Sequence, residues 1–305
     1  MLCSVIICTF NRAPLLRRAL EALEHQTLAP DTYEILVVND GSTDHTATVC
    51  EEMRSRLSGL HCIAMSRNVG HAASCNEGVR VARGDYILFT DDDCVPDEHW
   101  VERMRSALDR EPIITGAVES PRSPYIKLCH NIDQFHRYMP GRPRGHVPFI
   151  GGANIGFRRA VLEELGGFEA GRRLAFDTQI ALRAQEAGYH VCFEPDAIVL
   201  HDPPAERCHF VEVLRYSASH AAATISLRIE HGNVLGTPFV LKSVPLLILS
   251  APVIASVVVV RMFAGNPRLW TCLHAAPMVW LMKLSWCWGA AQGLLRLRRS
   301  EKGTP

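Results

Sequence analysis

The sequence has no surplus of either charge. Thirty-two Lys and Arg stand against 32 Asp and Glu over 305 residues, so no global field draws the chain to nucleic acid or to an acidic partner. Its 11 cysteines include no C-x-x-C pair and no metal-ligand spacing, which argues against a zinc site and against a disulfide framework, and fits buried thiols in a reducing cytosol. Neither G-x-G-x-x-G nor G-x-x-x-x-G-K-[ST] follows any strand-like run, which weighs against dinucleotide oxidoreductases and P-loop NTPases. The opening MLCSVIICTFNR lacks a basic leader and a long apolar core, so it is expected to form a strand and not a secretory signal.

What is present is an alternation. CSVIICT (3 to 9), YEILVVND (33 to 40), LHCIAM (60 to 65) and GDYILFT (84 to 90) are rich in β-branched residues and predict strands. Between them, residues 13 to 26 carry leucines at helical spacing with Pro14 in the first turn, Ser42, Thr43 or Asp44 is placed to cap a second helix, and residues 70 to 82 predict a third. Such alternation implies parallel βαβ units, whose ligands bind at the carboxyl ends of the strands. Three of those ends are polar: Thr9, Asn11 and Arg12; Asn39 to Ser42; and Asp91, Asp92 and Asp93. They are expected to share one crevice.

Residues 119 to 148 mix Pro, Arg, His and aromatics without a period and read as a long surface loop with at most one helix. Residues 176 to 201 read as a helix running into two short strands. Past about residue 205 the α/β pattern ends: 207 to 230 reads as an amphipathic helix, and 243 to 260 is an uncharged apolar run of 18. Together with 269 to 295, which is broken by His274 and Lys283, it suggests a membrane hairpin (about 239–261 and 269–295). A basic tail of Arg296, Arg298, Arg299 and Lys302 follows. Helices that dock on the protein or lie in the interface plane are the alternative. The expected division is a catalytic domain over 1–205 and a helical, membrane-associated region over 206–305.

Three adjacent carboxylates at a strand end repel one another. Mg²⁺ or Mn²⁺ would relieve that repulsion and commonly bridges carboxylates to substrate phosphates. Asp91 and Asp93 alternate along the chain, so they can share one site while Asp92 points elsewhere. The alternative is that the aspartates cap a helix beginning near Pro96.

SVIICTFNR, ILVVNDGSTDHT, RNVGHAASCNEGVRVARGDYILFTDDDC, GGANIGFRRAVLEELGGF and FDTQIALRAQEAGYHVCFEPDAIVLH, in this order over roughly residues 2 to 202, together resemble the family 2 glycosyltransferases of the GT-A fold. The hydrophobic C-terminus resembles members that act at the inner membrane face on lipid-linked acceptors. The resemblance implies a Rossmann-like α/β nucleotide-diphospho-sugar transferase domain followed by a hydrophobic helical region. It implies that Thr9, Asn11, Arg12, Asp40, Ser42, Arg67, Asn68, Gly70 and Asn76 hold the nucleotide of a UDP-, GDP- or dTDP-sugar. For Asn39 to Ser42, a turn alone is the alternative.

The triple aspartate matches the family's D-x-D signature. Asp93 is implied as the direct ligand of Mg²⁺ or Mn²⁺, Asp91 as a contact of ribose or metal, and Asp92 on the nucleotide side. His201 matches a position where some members have a further metal ligand, and a satisfied strand-end histidine is the alternative. Asp177 matches the general base, although it also suits a helix N-cap. Phe176 stands where the family commonly has Glu. Gly151, Gly152, Ala153 and Asn154 match the block lining the donor sugar and acceptor. The implied reaction is a single in-line displacement that inverts configuration. The Q-x-x-R-W signature of processive synthases is absent, so one sugar is expected per encounter, delivered to a lipid-linked or envelope glycan at the cytoplasmic face of the inner membrane. A sugar nucleotidyltransferase would need a glycine-rich, lysine-containing loop that CTFNRAP does not supply. A non-catalytic nucleotide- or glycan-binding scaffold at the membrane is the remaining alternative.

Overall fold

The computed structural model of the chain describes residues 2–172, 174–232 and 238–302. It divides into two compact units, Met1–Glu119 with Pro143–Pro204, and Ser120–Arg142 with Ala205–Pro305.

The first unit is built on one nine-stranded mixed sheet. In chain order its elements are β1 (Cys3–Thr9), α1 (Ala13–Glu24), β2 (Tyr33–Asn39), α2 (Thr46–Arg54), β3 (Leu60–Ala64), α3 (His71–Val81), β4 (Tyr86–Thr90), β5 (Cys94–Pro96), α4 (Trp100–Arg110), β6 (Ile113–Glu119), β7 (Gly145–Val147), β8 (Asn154–Arg158), α6 (Arg159–Glu164), α7 (Phe176–Glu186) and β9 (Val191–His201). The strand order is β3-β2-β1-β4-β8-β6-β9-β5, with β7 on β9. β1 pairs in parallel with both β2 and β4. The chain therefore moves outward through β2 and β3 and returns to the far side of β1 for β4. Such a reversal of direction is where open α/β sheets bind ligands.

The apolar patterning explains these elements. β1 and β2 are buried along their whole length, as strands covered by helices on both faces must be. α1 buries Leu16, Leu20 and Leu23 along one stripe. Ile6, Leu36, Val38, Ile87, Phe89, Phe157 and Phe168 meet in a core cluster of this unit.

β9 corrects one expectation. Residues 191 to 201 form a single strand with an interrupted register: Gly116 faces Glu194, but the next residue, Ala117, faces Ile198. The three residues skipped begin with Pro195, which has no N–H for the ladder.

In the second unit, the one helix allowed for in residues 119 to 148 is α5 (Tyr125–Phe135), and its Leu128 to Asp133 are buried, not at the surface. α5 packs with α8 (Phe210–Glu230), the Val244–Ala264 helix, a 3₁₀ segment (Pro267–Ala275) and the Ala276–Lys302 helix. Lys283, which interrupts the second apolar stretch, forms a 2.8 Å ion pair with the buried Asp133 of α5. Gly289 and Gly293 let this last helix approach α8: a Cβ on Gly289 would lie 2.0 Å from the Ala218 carbonyl oxygen. Ser217 Oγ donates to the Met282 carbonyl and Ser285 Oγ to the Leu214 carbonyl across the same seam. Among the described residues, one helix, Val244–Ala264, is long and apolar enough to cross a membrane, and it exposes Leu249, Val253 and Val260. The side chain of Lys302 lies outside the described residues.

Candidate active site

Asp91, Asp92 and Asp93 lie on the turn between β4 and β5. α4 begins only at Trp100 and has His99 at its N-cap, with no side-chain cap, so the aspartates do not cap that helix. β4 ends beside β1, and that neighbour supplies the compensating charge. Asp92 accepts hydrogen bonds from Thr9 Oγ1 at 2.8 Å and Arg12 Nη1 at 2.7 Å, and the same Arg12 nitrogen lies 3.4 Å from Asp93. Burial works against the Arg12 charge, but Asp92 and Asp93 outweigh it and hold the guanidinium more firmly protonated than usual. Burial raises the Asp92 pKa, with Arg12 pulling it back. Asp91 is pushed up to about 7 by burial, against the pull of His71, with Asp93 and Asp92 adding repulsion.

The antiparallel pairing of β5 with β9 sets Cys94 opposite His201. It brings His201 Nε2 to 3.6 Å from Asp93 Oδ1 across more than a hundred residues of chain. Asp91, Asp93 and Cys94 each present one potential ligand atom within 4.8 Å of the others. Burial, reinforced by the charges of Asp91 and Asp93, holds the Cys94 thiol protonated. The donors suited to a cation here are therefore two hard carboxylate oxygens, a set that fits Mg²⁺ or Mn²⁺.

The ends of β1, β2 and β3 form a second face of the crevice. Asn11 has a left-handed backbone, φ +54°. Its N–H donates to Ser42 Oγ at 2.9 Å, and its side-chain oxygen accepts from Thr43 N at 2.7 Å. Asp40 receives the N–H groups of Val69 and Gly70 at 2.8 and 2.9 Å. Gly41 presses so closely on the next loop that a Cβ would lie 2.6 Å from the Arg67 carbonyl carbon, a contact only glycine permits at φ +75°. Thr9, Asn11, Arg12, Asp40, Ser42, Arg67, Asn68 and Gly70 thus form one hydrogen-bonded and packed rim.

A third group faces it. The Asp177 carboxylate, in the first turn of α7, lies against Gly152: a Cβ there would be 2.8 Å from Asp177 Oδ2. Ala175, at the N-cap of α7, adopts φ +59°, a conformation that costs an L-residue roughly 1–2 kcal/mol. Asp177 Oδ1 accepts its neighbour Thr178 N at 2.7 Å. Gly152 lines a small cavity shared with Asp91, His71 and Phe176, which joins this group to the aspartate turn.

Four of the expected pocket residues are buried or bonded to the protein's own backbone. Asn154 is fully buried: its Nδ2 donates to the Ala117 and Ala197 carbonyls, and its Oδ1 accepts from Trp100 Nε1. Its amide ties three elements together. Gly151 and Ala153 are buried, and Gly151 N donates to Thr115 Oγ1. Asn76 binds both the N–H and the carbonyl of Phe168, and so fixes the loop that carries Gly166 and Gly167. Conversely, His71 was missed. Its Nε2 lies 3.8 Å from Asp91 and its ring 5.0 Å from that of Phe176. Its place directly after Gly70, at the mouth of a strand-to-helix turn, was the available signal.

The family model for glycosyl transferase family 2 matches residues 4–166, and that for glycosyl transferase family group 2 matches residues 86–289. The chain belongs to glycosyl transferase family 2. Glycosyltransferase AglE of Haloferax volcanii is 28% identical over 200 residues, 65% of this chain and 66% of that protein. The matches to two further curated members span only 50% and 48% of those proteins' lengths. Among solved structures, the mannosyltransferase PcManGT from Pyrobaculum calidifontis, in complex with GDP-Man and Mn²⁺, superposes with a TM-score of 0.67 at 22% identity, covering 96% of this chain and 86% of that one. S. aureus TarS 1-349 in complex with UDP-GlcNAc gives 0.55 at 16% identity, covering 98% and 92%. The first unit of this family 2 chain therefore has the GT-A fold, with its aspartate turn at the switch point of the sheet.

Proposed function

We propose that the chain is a metal-assisted inverting glycosyltransferase that moves one sugar from a nucleotide-sugar donor to a lipid-linked or envelope glycan acceptor. The observation that carries this reading is the seating of Asp177 against Gly152, a residue that lines the same small cavity as Asp91. A base and a leaving-group site then share one crevice. Asp177 removes the acceptor hydroxyl proton as that oxygen attacks the anomeric carbon. The bond from that carbon to the diphosphate oxygen breaks, and its electron pair departs with the nucleoside diphosphate. Asp91 and Asp93 would hold Mg²⁺ or Mn²⁺, which when bound offsets the growing charge on the diphosphate. Arg12 fixes Asp92 and steadies Asp93. The Asn11, Asp40 and Ser42 rim receives the nucleoside.

Donors named for the two structural neighbours carry different bases, so the base is left to experiment. The exposed apolar face of Val244–Ala264 supports action at a membrane surface, and we place the crevice on its cytoplasmic side. The test is Asp177→Asn. Donor affinity should stay within about twofold while transfer falls by roughly 10²–10⁴, the contribution of a general base. Unchanged turnover would leave Asp177 a helix-start residue only. Transfer undetectable in both proteins, with nucleotide still bound, would favour the scaffold reading.

A further inference from the structure

Cys8, at the end of β1, and Cys75, in α3, bring their sulfurs to 3.5 Å. His71 lies one helical turn before Cys75, so the two side chains share a face of α3. One ring nitrogen of His71 and the two sulfurs all fall within 4.8 Å of one another. Two soft donors and an imidazole are thus gathered at one point, although their spacing along the chain matches no metal motif. We propose that Cys8, His71 and Cys75 form a binding site for a soft d¹⁰ metal ion, with Zn²⁺ as the representative, beside the aspartate turn, whose Asp91 lies 3.8 Å from His71 Nε2.

The geometry distinguishes this site from a latent disulfide. A bridge needs the sulfurs at about 2.0 Å, well over an ångström closer than they are. Two thiolates on a tetrahedral zinc, each at about 2.3 Å, lie about 3.8 Å apart. The observed separation is within a few tenths of an ångström of that edge. Space is available as well. Cys8, His71 and Cys75 line a cavity of about 10 Å³, shared with Asp91, Gly152 and Phe176, which is room for one small ion or water. His71 is more than a third exposed, so an ion can enter from the crevice. Binding would release to solvent the protons held among the two sulfurs and the His71 imidazole, and leave a fourth position towards the cavity, the arrangement of an open zinc site. Hard cations prefer the carboxylates, so the two sites sort metals by ligand softness.

The experiment titrates the reduced, chelator-stripped full chain with Co²⁺ and then with Zn²⁺. One equivalent of Co²⁺ should produce a thiolate-to-cobalt charge-transfer band, which carboxylate ligation cannot give, and Zn²⁺ should bleach it. Cys8→Ser, Cys75→Ser and His71→Ala should each weaken Co²⁺ binding by more than the roughly 10–100-fold that follows loss of an outer-shell partner. Cys62→Ser, which removes one member of the hydrogen-bonded Cys50–Cys62 pair, should leave the band intact. Circular dichroism on each variant confirms that the fold is retained. No charge-transfer band in the folded wild type would overturn the proposal, as would a band that survives the Cys8→Ser/Cys75→Ser double substitution or disappears with Cys62→Ser. The proposal does not depend on sugar transfer, so its failure leaves the Asp177 reading untouched.

Discussion

Replacing Gly152 with alanine tests the base assignment with one methyl group. Gly152 does not need glycine for its own backbone, because its φ is not in the left-handed region, so the alanine adds volume without torsional strain. The three atoms nearest to that volume all belong to Asp177. The new Cβ would sit 2.8 Å from Asp177 Oδ2 and 3.4 Å from its carboxyl carbon. Ordinary contact begins at 3.4 Å, so the oxygen must retreat by 3.4 − 2.8, about 0.6 Å. A misplacement of 1 Å at a reacting group costs on the order of 10²-fold, and 0.6 Å therefore predicts a loss of roughly 10- to 50-fold in kcat. The nucleotide rim lies on other strands, so KM for the donor and the melting temperature should remain close to those of the wild type. The assay is steady-state transfer with donor varied at saturating acceptor, alongside thermal unfolding. Wild-type kcat in Gly152→Ala, or a fall confined to donor KM, would refute the assignment of Asp177 as the base.

Asp93→Asn should abolish the Mn²⁺-dependent part of nucleoside diphosphate binding; calorimetry with UDP, GDP, dTDP and CDP, first with Mn²⁺ and then with EDTA, reads this directly, and full affinity in the variant would remove Asp93 as a ligand. Arg12→Met should leave Asp92 charged and buried without its partner, lowering stability by about 3–5 kcal/mol in denaturant unfolding; a change below 1 kcal/mol would show that water takes over the role of the guanidinium. Lys283→Met should destabilise the second unit by a similar amount because it strands Asp133, and adding Asp133→Leu should restore most of the loss. If the double variant were no more stable than the single, Lys283 would be acting through something other than that pair.

Local chemistry determined much of the first unit by itself. β-branched runs alternating with leucine stripes specify parallel βαβ units through packing periodicity alone, and polar residues at strand ends mark the crevice because the middle of such a sheet is covered by helices on both faces. The aspartate turn was legible for the same reason: three like charges in a row demand a compensating charge, whatever the fold. What lay beyond reach was every relation that depends on strand order. The sequence does not say that β4 returns beside β1, so it could not show that Arg12 and Thr9 are the partners of Asp92. The resemblance offered His201 as a further metal ligand, but only the antiparallel β5–β9 pair shows how it reaches Asp93.

The resemblance put Asn154 and Asn76 in the pocket; an amide suits a ligand or backbone equally, and the packing shows the protein groups that each of these amides meets. The buried face of α5 was hidden because proline and arginine at its flanks mask a short apolar stripe. Cysteine spacing argued against a soft-metal site, since linear motifs report only ligands that are close along the chain. Cys8 and Cys75 are separated by two βα units and become neighbours because α3 packs against β1. Residue chemistry sets what each strand end can bind, and the order of the strands decides which of those ends meet.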